Sequence, residues 1–263
     1  MKNNPLDQFY TKKYIAKKLL DKTLKITQHI EHPSLYLDPS AGDGSFFLLF
    51  PENRIGLDLE PKHQDIIKQD FLKYIPDNIY YQKIWTIGNP PFGKNSSLAI
   101  KFFNHASKFS DVIAFILPRT FQKQSLQNKL NLNFKILYEE ILDKNSFMCD
   151  GKDFDAPCIF QIWKFNIEKR VIFKKYINHI DFEFTTKLNG EFSFQRIGVN
   201  AGKVRKHFYD RSENSHYFIK DKSKDKNVYD ILSKINWEEI KKQNAGNPSI
   251  SKSELIQEYL SKS

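Results

Sequence analysis

Two adjacent prolines constrain this chain more than any other local feature. Ile84-Trp85-Thr86-Ile87 is an apolar run of strand length, and Gly88-Asn89-Pro90-Pro91-Phe92-Gly93 follows it directly. Proline has no N–H for a sheet ladder and fixes φ, so the pair ends a buried strand abruptly. The carbonyls of Asn89 and Pro90 are then left without strand partners, beside an amide side chain and an aromatic ring. Taken in isolation, the string favours an ordinary Pro-Gly strand exit, so its neighbours must decide.

Ser34-Leu35-Tyr36-Leu37-Asp38 is a short strand closed by an acid, followed by Pro39-Ser40-Ala41-Gly42-Asp43-Gly44-Ser45-Phe46. Strand, glycine loop and apolar segment predict a βα unit whose backbone N–H groups approach a ligand. The loop lacks the Gly-Lys-Ser/Thr of a phosphate cradle, and Gly42-x-Gly44 is not the dinucleotide spacing. Asp38 and Asp43 would repel a pyrophosphate and suit an amine or a cation; a tight turn with no ligand is the plain alternative. Arg54-Ile55-Gly56-Leu57-Asp58 repeats the design about 20 residues on, where doubly wound folds place a carboxylate on a ribose. After a short predicted helix, Ile66-Ile67-Lys68-Gln69-Asp70-Phe71 brings a third acid, Asp70, toward the same edge.

The remaining pattern fills in an α/β chain. A helix is expected over about 12–21, with Ile15, Leu19 and Leu20 on one face and Thr11 as its N-cap. Further helices are expected over 98–109 and 121–130, and strands over 111–117, 134–142 and 156–165, the last closing the sheet. Strands alternating with helices predict a mostly parallel sheet with ligands at its carboxyl edge.

Lys+Arg 41 against Asp+Glu 31 gives a net charge of +10, which favours an anionic partner, nucleic acid first. An AT-rich coding bias toward Lys, Asn and Ile would produce the same excess without a binding role. From about residue 166 the charge density rises, with 19 Lys/Arg and 13 Asp/Glu over 166–263. There Lys203-Val204-Arg205-Lys206-His207-Phe208-Tyr209 interleaves cations with rings, flanked by Arg196 and Arg211. Such a cluster suits phosphates and bases, or else it is a solvated hairpin. Residues 221–226 read as an exposed loop, and Ser251 to Glu254 as a capping box.

The two cysteines, Cys149 and Cys158, have no metal-like spacing, so neither a disulfide framework nor a metal site is expected. The N-terminal sequence has no apolar signal segment and no apolar run approaches a membrane span, which predicts a cytoplasmic protein without a membrane partner.

Together these strings resemble the S-adenosyl-L-methionine-dependent adenine-N6 DNA methyltransferases of the γ motif order, over roughly residues 7–165. Asp38-Pro39-Ser40-Ala41-Gly42-Asp43-Gly44-Ser45-Phe46 is similar to their motif I, Asp58 to the motif II acid, and Asn89-Pro90-Pro91-Phe92 to motif IV. Asp7-Gln8-Phe9-Tyr10-Thr11 is similar to motif X. The resemblance implies a Rossmann-like methyltransferase fold with a mostly parallel seven-stranded sheet over 1–165. It implies a small basic α+β region over 166–263 for target recognition.

By the same resemblance, Phe9, Tyr10, Thr11, Asp38, Ser40, Ala41, Gly42, Gly44, Asp58, Leu59, Asp70, Phe71 and Asn89 would hold the cofactor. Asp38 and the glycine backbone would take its methionine part, Thr11 its carboxylate, Asp58 its ribose and Asp70 its adenine amine. Asn89, Pro90, Pro91 and Phe92 would form the catalytic motif, with Phe92 stacking on a flipped-out adenine. Phe147 and Phe154 both qualify as the second stacking aromatic. Arg196, Lys203, Arg205, Lys206 and Arg211 would meet nucleic acid, with no metal required. DNA is the expected substrate, in a bacterial, phage or viral restriction-modification setting. A homodimer, or a partner specificity or nuclease subunit, would assist the small recognition region.

Three other readings stand beside it: an RNA adenine-N6 methyltransferase, a protein-glutamine N-methyltransferase, and a catalytically silent nucleic-acid-binding subunit. Pro157-Cys158 invites a cytosine-C5 reading, but it sits in an apolar strand after Asn-Pro-Pro-Phe, so Cys158 is expected in the core.

Overall fold

The computed structural model describes residues 9–77, 83–243 and 246–263. They form two compact units, Met1–Ile172 and Phe173–Ser263.

The first unit contains strands β1 (Tyr10–Thr11), β2 (Leu35–Asp38), β3 (Arg54–Asp58), β4 (Ile67–Lys68), β5 (Ile84–Gly88), β6 (Val112–Pro118), β7 (Phe134–Ile141), β8 (Phe147–Cys149), β9 (Lys152–Phe154) and β10 (Cys158–Phe165). Its helices are α1 (Lys13–Ile26), α2 (Ser97–Ala106) and the single turn α3 (Gln124–Gln127). Seven strands make one sheet in the order β4-β3-β2-β5-β6-β10-β7, parallel except at β10, which runs antiparallel to both neighbours. This is the expected Rossmann-like methyltransferase fold. The strand order reverses between β2 and β5, so Asp38 and the Asn89 turn flank the crevice where such sheets take ligands.

Both faces of the sheet are covered, which explains why β5 and β6 are unbroken apolar runs rather than alternating ones. Leu35, Leu37, Ile113, Phe115, Leu117, Ile159 and Trp163 face one core with Ala99 and Phe103 of α2. Tyr36, Trp85, Ile87, Ala114, Ile116, Phe160 and Ile162 face another with Ile15, Ala16 and Leu19 of α1.

Several expectations are corrected. α1 runs to Ile26, because Thr23, Leu24 and Ile26 continue its packed face. Thr11 is not its N-cap: Lys12 holds that position without a side-chain bond, and Thr11 pairs as a strand with Phe147. No α-helix stands between Gly44 and β3 or between β3 and β4; a single 3-10 turn, Phe47–Leu49, stands after the glycine loop. The expected helix over 121–130 is a 3-10 turn, Arg119–Gln122, and then α3. β10 does not close the sheet but inserts between β6 and β7.

β1, β8 and β9 form a separate small sheet, with Thr11 opposite Phe147 and Phe147 opposite Phe154. Asp150 and Gly151, both at positive φ (49° and 74°), turn the β8–β9 hairpin.

The second unit is α+β. Strands β11 (Phe182–Thr185), β12 (Phe192–Gln195), β13 (Val204–Arg205) and β14 (His216–Asp221) form an antiparallel sheet in the order β11-β14-β12-β13. Phe182, Phe194 and Ile219 share a core with residues of α4 (Val228–Lys234) and α6 (Lys252–Lys262); α5 (Glu238–Lys241) lies between those helices in sequence. Ser251 caps α6 in the expected box: its N–H donates to Glu254 Oε2 at 2.7 Å, and its Oγ accepts from Glu254 N–H at 3.2 Å. The 221–226 loop is anchored, since Asp221 accepts from the N–H groups of Ser223 (2.8 Å) and Val228 (3.0 Å).

Candidate active site

The carboxyl edge of the large sheet opens into a cleft of about 560 Å³ lined by Phe9, Tyr10, Thr11, Asp38, Asp58 and Asn89 among others. Asp38 ends β2 and is only 2% exposed. Burial raises its carboxyl from 3.8 to about 8, the Ser40 N–H opposes the shift, and the nearby Asp58 and Asp43 add to it. A buried acid among other acids is electrostatically unsatisfied, and a ligand cation would relieve it. Gly88 makes room for this side chain: a Cβ there would stand 2.6 Å from Asp38 Oδ1.

The glycine loop wraps the same space. Gly42 and Gly44 hold φ values of +51° and +87°, and a Cβ on Gly42 would meet the Tyr10 ring at 2.9 Å. Gly42 N–H donates to Asp58 Oδ2 and Glu60 N–H to Asp58 Oδ1, each at 2.8 Å, which fixes the carboxylate at the cleft wall. Asp70 is fixed likewise, accepting from Leu72 N–H at 3.0 Å. Ser40, Ala41, Leu59 and Phe71 also line the cleft, Leu59 exposed and Phe71 buried. Gly44 does not line it: its left-handed backbone instead accommodates Leu48, 2.9 Å from a built Cβ.

Asn89 is held at three points. Its carbonyl accepts from Ser40 Oγ at 3.0 Å, its backbone follows β5, and its Nδ2 donates to Thr11 Oγ1 at 3.3 Å. Its Oδ1 is buried with no hydrogen-bond partner. A buried unpaired acceptor costs about 1–3 kcal/mol, so a hydrogen-bond donor arriving at this atom would be favoured. Pro90 and Pro91 line the cleft beside it.

The aromatic candidates separate. Phe147 is wholly buried in the α1-side core, whereas Phe154 is 39% exposed. Phe9 joins them, its ring centroid 5.4 Å from Phe92, 4.9 Å from Phe147 and 5.3 Å from Phe154. Asp7 and Gln8 of the motif X string lie outside the described residues. Cys158 is 1% exposed and burial raises its thiol pKa, as suits a core cysteine.

Sequence reasoning missed the Thr11–Asn89 contact, the packing of Phe9 against Phe92, Phe147 and Phe154, and the cleft-lining Glu60, Gln69 and Lys94. Lys94 follows Gly93 immediately, so its place beside the motif was readable.

The five expected nucleic-acid cations lie in the second unit but not on one face. Arg196 lies over Tyr217 (5.4 Å) and Lys206 over Tyr229 (4.8 Å), both rings that pack on the core side. Arg205 pairs with Ser193 on the opposite face, Arg211 pairs with Asp210 at 3.2 Å, and Lys203 is exposed in the preceding turn.

No family model matches the chain, and no curated protein matches it. Solved methyltransferases do resemble it in structure. A Pyrococcus horikoshii protein assigned as an RNA methyltransferase is 18% identical, with 62% of this chain and 88% of that one covered and a TM-score of 0.47. The N-methyltransferase NodS from Bradyrhizobium japonicum WM9 is 10% identical (63% and 99% covered, TM-score 0.40). The 23S rRNA methyltransferase ErmE is 13% identical (57% and 69% covered, TM-score 0.39).

Proposed function

We propose that the chain is an S-adenosyl-L-methionine-dependent methyltransferase acting on the exocyclic N6 amine of adenine in DNA. The unpaired, buried Asn89 Oδ1 carries this reading. An adenine amine is a poor nucleophile because its lone pair is delocalised into the ring. Two acceptors, Asn89 Oδ1 and the Pro90 carbonyl, would take both amine hydrogens and favour a pyramidal nitrogen with a localised lone pair. That stabilisation is strongest in the transition state.

The residues present fit the cofactor: Asp38 suits its ammonium, Asp58 its ribose, Asp70 its adenine amine, and Gly42 gives close backbone approach. Held there, S-adenosyl-L-methionine would supply a methyl group on a sulfonium, a leaving group that departs neutral, and the spare amine proton would go to solvent. No strong base is needed. Phe92 and the exposed Phe154 would stack on a base drawn out of its duplex. The second unit would meet the polynucleotide, aided by a second copy or a specificity subunit.

The basic balance of the chain favours a polynucleotide over a protein glutamine. The unsatisfied Asn89 and Asp38 favour an active enzyme over a silent subunit. The test is incubation with labelled S-adenosyl-L-methionine and separate DNA, RNA and protein pools, followed by nucleoside mass analysis. N6-methyladenine in the DNA pool is the expected result. The modified base in RNA alone, label in glutamine, or cofactor binding without transfer would each remove the proposal.

A further inference from the structure

Apart from Asn89, three of the unpaired buried polar atoms among the described residues belong to the second unit. Ser193 Oγ, His216 Nε2 and Arg211 Nε are buried and lack hydrogen-bond partners. Strand register brings Ser193 and His216 to one face, and Arg211 stands in the loop that leads into His216's strand. Ser193 lies opposite Arg205 on one side and Phe218 on the other, while Gln195, two residues on, lies opposite His216. Alternation sends Phe192 and Phe194 into the core, so Ser193, Gln195, Arg205 and His216 share the reverse face.

Further contacts fix the arrangement. Arg205 Nη1 donates to Gln195 Oε1 at 3.4 Å. His216 Nδ1 donates to the Ser212 carbonyl at 3.1 Å, which leaves Nε2 as the free nitrogen. Arg211, adjacent to Ser212, uses Nη2 on Asp210 and leaves Nε unpaired. Its side chain is 40% exposed, and its charge acts on the His216 ring. Ser193 is wholly buried and His216 is 7% exposed, so neither unpaired atom is an ordinary solvated group.

Two guanidiniums, a hydroxyl and an imidazole with unused hydrogen-bonding capacity suit an anion with several acceptor oxygens. We propose that Ser193, Arg205, Arg211 and His216 form a binding site for a backbone phosphate of the polynucleotide substrate. This rests on reading the substrate as a polynucleotide. It also divides the five predicted cations: Arg205 and Arg211 hold the phosphate, while Lys206 and Arg196 lie over rings of the other face. A phosphodiester has no proton to give Nε2, so His216 takes one from solvent as the anion binds. Burial, with Arg205 and Arg211 nearby, otherwise keeps the ring neutral, against the opposing pull of the Ser212 carbonyl and Asp210.

The test uses the full chain and short DNA and RNA duplexes, with affinity measured across salt and pH. It needs no methyl transfer, so failure of the Asn89 chemistry leaves it readable. Arg205→Gln and Arg211→Gln should each weaken duplex binding about fivefold and reduce the salt slope by about one. Ser193→Ala should weaken binding without lowering the melting temperature, because the hydroxyl makes no bond in the free protein. Wild-type affinity should rise as pH falls from about 8 to about 6, and His216→Gln should flatten that rise. Unchanged affinity and slope in the Arg205→Gln/Arg211→Gln double variant, on both polymers, would overturn the site. So would a Ser193→Ala protein that melts lower yet binds as tightly.

Discussion

Thr11 and Asn89, 78 residues apart, meet where the Asn89 Nδ2 donates to the Thr11 hydroxyl oxygen at 3.3 Å. The bond orients the amide so that Oδ1 is the atom left over. Thr11→Val removes the acceptor while keeping the shape and the β1 pairing. Its turnover should fall about tenfold, or roughly 1.4 kcal/mol of transition-state stabilisation, with Thr11→Ser close to wild type. Single-turnover kinetics decide it: a Val variant as fast as wild type means the amide is oriented by other contacts.

Asn89→Ala should cost far more, about 100- to 1,000-fold in turnover, the range typical of a lost oriented group in a water-poor site. Donor affinity should stay within about tenfold, measured by calorimetry. Equal losses in both quantities would place Asn89 in donor binding rather than in activation of the amine.

Asp38 predicts two pH dependences of defined sign. Its folded pKa, about 8, lies above the ordinary 3.8, so its contribution favours the ligand-free fold most below about pH 4 and is lost as pH rises toward 8. Thermal melts should fall across that window, and Asp38→Asn should remove this part of the slope. Binding of a cationic donor runs the other way, because it requires the ionised carboxylate. Affinity should climb up to about tenfold per pH unit until it levels near pH 8. Calorimetry in buffers of different ionisation enthalpy should show a proton released at neutral pH; no release would mean that the ligand charge is met elsewhere.

Phe154 and Phe147 should part experimentally. Phe147→Ala empties a wholly buried site and should cost about 3–5 kcal/mol of stability, read as a lower denaturant midpoint. Phe154→Ala should melt near wild type but weaken capture of an unpaired target base by about 1–3 kcal/mol. Fluorescence of 2-aminopurine at the target position reports that capture. A Phe154→Ala protein with full capture would leave Phe92 as the stacking ring.

Strand sequences were legible where local chemistry decided them. Leu35–Asp38 and Arg54–Asp58 end on the acids that the sequence singled out, because a buried strand reads as an apolar run with a polar stop. Asn89, Asp38, Asp58 and Asp70 reach one cleft as expected. What escaped was non-local. Thr11 has good capping chemistry, yet pairing with Phe147 draws it into a strand. Phe46 and Phe47 promised a helix, but Phe47 instead packs closely on Gly56, where a Cβ would lie 2.7 Å from its ring. The position of β10 depends on partners that no local window contains, and so does the choice between Phe147 and Phe154.

The reversed strand has one more consequence. Because β10 is antiparallel to both β6 and β7, the 142–157 connection leaves the sheet and re-enters it at the same end. A parallel β10 would have needed a crossover along a sheet face, with its length tied to core packing. Here the connection is a loop that leaves and re-enters at one end of the sheet, and it carries the Phe147–Phe154 hairpin. Loops of this kind tolerate insertion and exchange without disturbing the layers beneath. The exposed tip of this hairpin, Asp150 to Phe154, is therefore free to vary while Phe147 stays in the core and the scaffold that presents Asn89 is unchanged.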